Sequence, residues 1–308
     1  MTLLSLLVPC YNASNYLDRL AKTFAEAALF SCEFLLVDDC STDDTYDKAL
    51  TLGLPIIQTP RNMGPGGARN YGVERLRGEW VHFLDADDIL SAEVLRRSLL
   101  YLRDSIDVLL VGATWVDEIS GARLSDWSFC LDDVEHDPLL YSLTSPIPTC
   151  CSVIRIDRFR AIGGFDSAFR CWEDGDLHLR LVVDGARLAV MDAVLTIAIR
   201  HDHGASSNHL YCHRCRLTFL TRYANQQLPI ESVALANEFL MIGNLLLAES
   251  CYCEALLAYQ LSHRTHPLQL ASNQASLRSL MSFLSPPWAL LLQQSLRHAF
   301  GRFFMDQK

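Results

Sequence analysis

The chain is poor in positive charge. Lys and Arg number 26 against 36 Asp and Glu, for a net charge of −10 and a pI near 5.4. No basic stripe is available to displace counterions, which argues against a nucleic-acid backbone as the main partner. An anionic ligand would have to be met by local cations such as Arg61 and Arg69. The first nine residues, MTLLSLLVP, are apolar but lack a basic leader and a small-residue cleavage pattern, and they are too short to span a bilayer. They read as a first strand. The expectation is a cytoplasmic protein whose eleven scattered cysteines are reduced and packed. The turn after this strand, Cys10 to Asn15, has no glycine, so the Gly64-Pro65-Gly66-Gly67 run further on is misplaced for a dinucleotide fingerprint. Cys212-His213-Arg214-Cys215, near His201 and His203, lacks the second cysteine pair of a zinc site, and packed thiols on a helix are the expectation.

What is present suits one large or two modest domains: 308 residues, 50% of them hydrophobic. Apolar runs at residues 5–9, 33–37, 55–58 and 80–84 read as buried strands. Helical stretches at 16–29 and 45–52, and one growing out of the glycine-rich residues 62–73, alternate with them. Ser41, Thr42 and Asp43 are available to cap the second helix. Such alternation predicts a mostly parallel sheet flanked by helices, with ligands beyond the carboxyl ends of its strands. A strand at 108–112, a hairpin within 114–130, a connecting segment at 132–144, a strand at 152–156, a turn at 163–166 and a helix ending near residue 184 follow. After the polar loop 201–208 the pattern is helical, which sets expected domains at 1–208 and 209–308.

The most informative stretch is Trp80 to Leu90, where a buried strand runs into Asp85, Asp87 and Asp88. That much negative charge at a strand's end fits a hard divalent ion, Mg²⁺ or Mn²⁺, which takes one or two carboxylates and fills its remaining positions with water and phosphate oxygens. A plainer reading stands beside it: Asp87 or Asp88 as a cap for the helix after Ser91, and Asp85 as a solvated turn residue. Glu173, Asp174 and Asp176 open another helix, where the helix dipole alone favours carboxylates. That is the reading adopted for Asp176. In the tail, Phe239, Ile242, Gly243, Leu246, Ala255, Tyr259, Ser262 and Pro267 fall at tetratricopeptide offsets. One unit is below the three such arrays need, so an ordinary helical hairpin is favoured. Residues 288–304 read as an amphipathic end helix able to touch a membrane surface or a partner.

Five motifs in order, Pro9-Cys10-Tyr11-Asn12, Val37 to Asp43, Asn62 to Asn70, Phe83 to Asp88, and Glu173 to Leu177 with Arg180, resemble the family 2 inverting glycosyltransferases of GT-A fold. The resemblance covers roughly residues 5–207. It implies that Pro9, Tyr11, Asn12 and Asp38 line the nucleoside site, with Asp38 accepting from the base. Asn62, Gly67 and Arg69 would follow, with Arg69 near the diphosphate. Asp87 would be the direct metal ligand, Asp85 a support for the sugar, ribose or metal waters, and His203 a further metal contact, with His201 the competing choice. Asp174 matches the family's catalytic base, and Glu173 would orient the acceptor or the Asp174 loop. No Gln-x-x-Arg-Trp motif follows the base, which implies one sugar per encounter rather than processive synthesis.

The function expected is metal-dependent inverting transfer of a sugar from a nucleotide-sugar donor, UDP-linked by preference, to a hydroxyl of a glycan, lipid-linked or protein-linked acceptor. Surface glycan or glycoconjugate synthesis is the expected setting. Two rivals differ in class. An idle nucleotide-sugar-binding scaffold would recruit partners through its tail, against which the intact Asp87 and Asp174 speak. A nucleotidyltransferase would release pyrophosphate instead of a nucleoside diphosphate.

Overall fold

The computed structural model describes residues 4–201, 208–226 and 228–266, and the chain divides into two compact units, Met1–Ser207 and Asn208–Lys308. In the first unit β1 (Leu4–Cys10) is almost wholly buried, as its apolar run requires of a central strand. It pairs in parallel with β2 (Glu33–Asp38), which in turn pairs with β3 (Ile56–Gln58); on its other side lies β4 (Trp80–Phe83), also parallel. The linking helices are α1 (Leu17–Leu29), α2 (Thr45–Thr51) and α3 (Gly64–Val73). In α1 the buried residues Leu17, Leu20, Thr23 and Ala27 recur at three- and four-residue spacing, one apolar stripe laid on the sheet. Helix α3 comes close because Gly72 has no side chain: a Cβ there would stand 2.5 Å from Leu7 and 2.7 Å from Val37.

The rest of the sheet departs from expectation. After β5 (Ile89–Leu90) and α4 (Ala92–Tyr101) come β6 (Val108–Asp117) and β7 (Arg123–Trp127), the anticipated hairpin. Residues 132–144, read as connecting chain, fall in two short helices, α5 (Leu131–His136) and α6 (Pro138–Thr144). Then follow β8 (Ser152–Arg155), α7 (Ile156–Ala161), α8 (Glu173–Val183) and β9 (Leu188–Arg200). The strand order is β3-β2-β1-β4-β8-β6-β9-β5, with β7 on β6. The sheet is mixed rather than mostly parallel, since β8 runs antiparallel to both β4 and β6, and β5 runs antiparallel to β9. The reason lies in the hairpin. β7 faces residues 113–116 of β6 and β8 faces residues 108–110, so β8 keeps the direction in which β7 turned the chain. Apolar cores lie on both faces, one including Leu7, Val81, Phe83, Phe159, Phe165 and Leu177, the other Leu6, Leu17, Leu36, Trp80, Val94 and Leu109.

The second unit contains α9 (His209–Ala224), α10 (Ser232–Ala248) and α11 (Tyr252–Thr265). Gly243 of α10 is the contact point with α11, where a Cβ would meet the Tyr259 ring at 2.5 Å. The Tyr259 hydroxyl donates to Asn244 Oδ1 at 2.9 Å, and Ser262 Oγ donates to the Ala236 carbonyl at 2.8 Å. Arg216 and Glu238 form a buried ion pair between α9 and α10. Pro267, the expected end helix at 288–304 and His203 lie outside the described residues.

Candidate active site

The parallel strands β1 and β2 end side by side, and the loops that follow are tied together. Asn12, at φ 50°, donates its backbone N–H to Ser41 Oγ at 2.9 Å, and its Oδ1 accepts from the Thr42 N–H at 2.8 Å. The Ala13 N–H donates to Thr45 Oγ1 at 2.8 Å. Asn12 therefore acts as a strut between the loops, while Tyr11 beside it is 52% exposed. Pro9 is half-buried in β1 opposite Val37. Asp38 is fully buried at the end of β2; its carboxylate accepts from Gln58 Nε2 at 2.7 Å and from the Ser41 N–H at 3.3 Å. Those donors leave part of a carboxylate's acceptor capacity unused.

Sequence reasoning did not single out Asp39, yet it organises the next loop. Its carboxylate accepts from the backbone N–H groups of Met63 at 2.8 Å and Gly64 at 2.7 Å, and from the Thr59 hydroxyl at 2.8 Å. A buried carboxylate at the start of α3 satisfies donors that the helix itself cannot. Exposed Asn62 donates through Nδ2 to the Asp39 carbonyl at 3.2 Å. Gly67 is buried within α3, where a Cβ would stand 2.6 Å from Met63.

In the acidic loop the three carboxylates point to different partners. Asp85 Oδ1 accepts from the Arg69 guanidinium at 2.5 Å. Asp87 Oδ2 stands 2.6 Å from His201 Nε2. Asp88 is buried and accepts from the Ile199 N–H at 2.9 Å, fastening the loop to β9. Burial, then the charge of Asp85, raises the Asp87 carboxyl above its ordinary range; the same two causes, with Asp87 added, raise Asp88 further. Capping does not explain the cluster, because Ser91 caps α4, its Oγ accepting from the Glu93 N–H at 3.1 Å. Asp87 and His201 are donor types that a divalent ion accepts, but among the described residues no three such side chains are grouped to hold one. Of the two histidines weighed from the sequence, His201 is the one described beside Asp87.

The other wall begins at Gly163 and Gly164, at φ 80° and 69°, a left-handed turn that sets up Phe165. Asn70 grips the Phe165 backbone, donating through Nδ2 to its carbonyl and accepting its N–H through Oδ1, both at 2.8 Å. Helix α8 starts just after Trp172, which is itself left-handed at φ 68°; its ring lies so close to Gly175 that a Cβ would meet it at 2.8 Å. Asp174 Oδ1 accepts from the Gly175 N–H at 2.7 Å. Burial first, and then the neighbouring Glu173 carboxylate, push the Asp174 carboxyl up to about 7, while Arg69 pulls the other way. His178 braces this turn, with Nδ1 at 2.8 Å from the Asp174 carbonyl and Nε2 at 3.0 Å from Ser152 Oγ.

Two residues singled out from the sequence are buried here. Asp176, read as a first-turn acid favoured by the helix dipole, is fully buried, and its carboxylate accepts from Arg180 Nε at 2.7 Å. Arg69 is 2% exposed, with Asp85 on one side and Glu173 Oε1, at 3.3 Å, on the other. Sequence spacing offered no sign that residues 69, 85 and 173 meet.

Comparison with known proteins accords with this geometry. The model of the family described as glycosyl transferase family 2 matches residues 5–162, just over half of the chain. A glycosyltransferase of Haemophilus influenzae is 32% identical over 129 residues, 40% of this chain and 52% of that protein. The poly(ribitol-phosphate) beta-N-acetylglucosaminyltransferase TarS of Staphylococcus aureus is 34% identical over 116 residues, 35% of this chain and 20% of its own length. The chain thus spans about half, or much less, of these relatives. Among solved structures, TarS residues 1–349 in complex with UDP share the fold at a TM-score of 0.63 and 19% identity, covering 98% of this chain and 92% of that one. The mannosyltransferase PcManGT of Pyrobaculum calidifontis, in complex with GDP-Man and Mn²⁺, shares it at 0.57 and 13%, over 97% and 87%. Among the described residues no helix is long and apolar enough to cross a membrane. With its helix-flanked sheet of GT-A type and the family model matched over residues 5–162, the chain belongs to glycosyl transferase family 2.

Proposed function

We propose that the protein is a metal-dependent inverting glycosyltransferase that moves one sugar at a time from a UDP-linked donor to a hydroxyl of a glycan, lipid-linked or protein-linked acceptor, in surface glycan or glycoconjugate synthesis. The observation that carries this reading is the placement of Asp174 at the start of α8, its carboxyl raised by burial and by Glu173, on a turn that Glu173 and Arg69 join to the acidic loop. A general base works best with a pKa near the operating pH. TarS is named a poly(ribitol-phosphate) beta-N-acetylglucosaminyltransferase and was solved with UDP, which favours UDP here.

In this mechanism the loops after β1 and β2 seat the nucleoside, with Tyr11 exposed for contact and the buried Asp38, held by Gln58 and Ser41, bracing the end of β2 beneath it. Asp174 takes the proton from the acceptor hydroxyl as its oxygen attacks the anomeric carbon from the face opposite the departing diphosphate. One C–O bond forms, one breaks, and the configuration inverts. Asp87 and His201 are the residues that would hold a divalent cation, Mn²⁺ being favoured over Mg²⁺ by the imidazole. Such a cation supplies Lewis-acid stabilisation of the charge that grows on the leaving diphosphate.

The test is calorimetry with UDP, GDP and TDP, with and without Mn²⁺, followed by nucleotide release from the matching nucleotide sugars. Metal-dependent binding of UDP, and its retention in Asp174→Asn with turnover lost, are the expected results. Full turnover in Asp174→Asn would remove the base assignment, and binding of none of the three nucleotides would remove the donor site. NMR of the product's anomeric proton decides inversion.

A further inference from the structure

Arg69 is placed where a diphosphate-binding cation is expected, but its side chain is 3% exposed. One terminal nitrogen donates to Asp85 Oδ1 at 2.5 Å and the other to Glu173 Oε1 at 3.3 Å. The remaining Nε–H is shielded from solvent and meets no acceptor among the described residues. The Phe165 ring lies 5.2 Å beneath the guanidinium carbon, and Phe165 is itself held by the two Asn70 hydrogen bonds. With 3% of its side chain exposed and both terminal nitrogens already donating to carboxylates, this arginine has little surface to offer an incoming ligand. It does join two segments far apart in sequence, the acidic loop after β4 and the first turn of α8. A guanidinium suits this because its fixed fork orients two carboxylates at once, which an ammonium cannot do.

We propose, building on the glycosyltransferase reading, that Arg69 is a positioning residue which fixes the Asp174 turn against the acidic loop through Glu173 and Asp85, and that it does not itself bind the donor's diphosphate.

The charged groups acting on Asp174 are Glu173, which disfavours its ionisation, and Arg69, which favours it. Removing each should therefore move the acid limb of the pH–rate profile in opposite directions. The experiment uses full-length wild type, Glu173→Gln and Arg69→Gln. Calorimetry with UDP and Mn²⁺ gives affinity, and UDP release from UDP-N-acetylglucosamine in water gives turnover from pH 5 to 9. Expected are UDP affinities within threefold of wild type and turnover lowered tenfold or more in both variants. The acid limb should fall in Glu173→Gln and rise in Arg69→Gln. A tenfold loss of UDP affinity in Arg69→Gln with an unmoved limb would make Arg69 a diphosphate ligand and overturn the proposal. If Arg69→Gln shows no thermal unfolding transition, Glu173→Gln decides alone, and an unmoved limb there overturns it equally. Wild type that neither binds UDP nor releases it from the sugar nucleotide would sink the enzyme reading, and this one with it, before any variant is compared.

Discussion

Replacing Asp174 by Asn should make the protein more stable while abolishing turnover. A carboxyl raised from the usual 3.8 to about 7 disfavours the folded state once ionised, because the unfolded chain ionises it more easily. The sign follows: its contribution is most favourable below about pH 4, is lost as pH rises through 7, and is constant above. At about 1.4 kcal/mol per tenfold change in proton affinity the full shift corresponds to about 4 kcal/mol. The Asp174 side chain is half-buried, and solvent screening together with the share of the effect that belongs to Glu173 reduces this to about 2–3 kcal/mol. For a unit of this size each kcal/mol moves Tm by about 2–4 °C. Asparagine is nearly isosteric and keeps an oxygen to accept the Gly175 N–H, so little is lost elsewhere. Thermal unfolding at pH 8.5 should place Asp174→Asn about 4–12 °C above wild type, with the gap closing as pH approaches 4. A variant no more stable than wild type at pH 8.5 would show that burial does not strain this carboxylate, and its tuning as a base would fall with it.

Other perturbations test other parts. Asp87→Asn and His201→Ala should each weaken Mn²⁺-dependent UDP binding about tenfold or more, as expected when a ligand or its neighbour is removed, with metal-free binding unchanged; calorimetry with and without EDTA reads both. Gly72→Ala places a methyl 2.5 Å from Leu7 and 2.7 Å from Val37, so a loss of about 1–3 kcal/mol should appear as a lower urea midpoint. Gly243→Ala drives a methyl into Tyr259, and amides of α10 and α11 should then exchange faster with deuterium than those of β1 or β4. Protection unchanged in α10 and α11 would mean that this contact has room to relax.

Local chemistry is what the sequence recorded well. Continuous apolar runs ending in polar loops made β1, β2 and β4 visible, because a strand buried on both faces leaves little choice of residue. The hairpin of β6 and β7 was readable for a similar local reason, and the motif order pointed to the family. Strand β9 escaped notice, since Asp192 interrupts its apolar pattern and a register shift opposite Gly112 breaks the alternation. The direction of β8 is likewise not a local property. It depends on which edge of β6 the returning chain occupies.

The same division runs through the candidate site. Composition and spacing alone determined that carboxylates crowd the ends of β4 and the start of α8, and that glycines accompany them. Only the tertiary structure decided which carboxylate meets which partner: Asp85 and Glu173 share Arg69, Asp87 meets His201, Asp88 is spent on Ile199, and Asp39 holds the start of α3. The physical reason is that a charge is tuned by the burial and the neighbours around it in space. Those neighbours come from segments up to 114 residues apart, a separation no sequence period records.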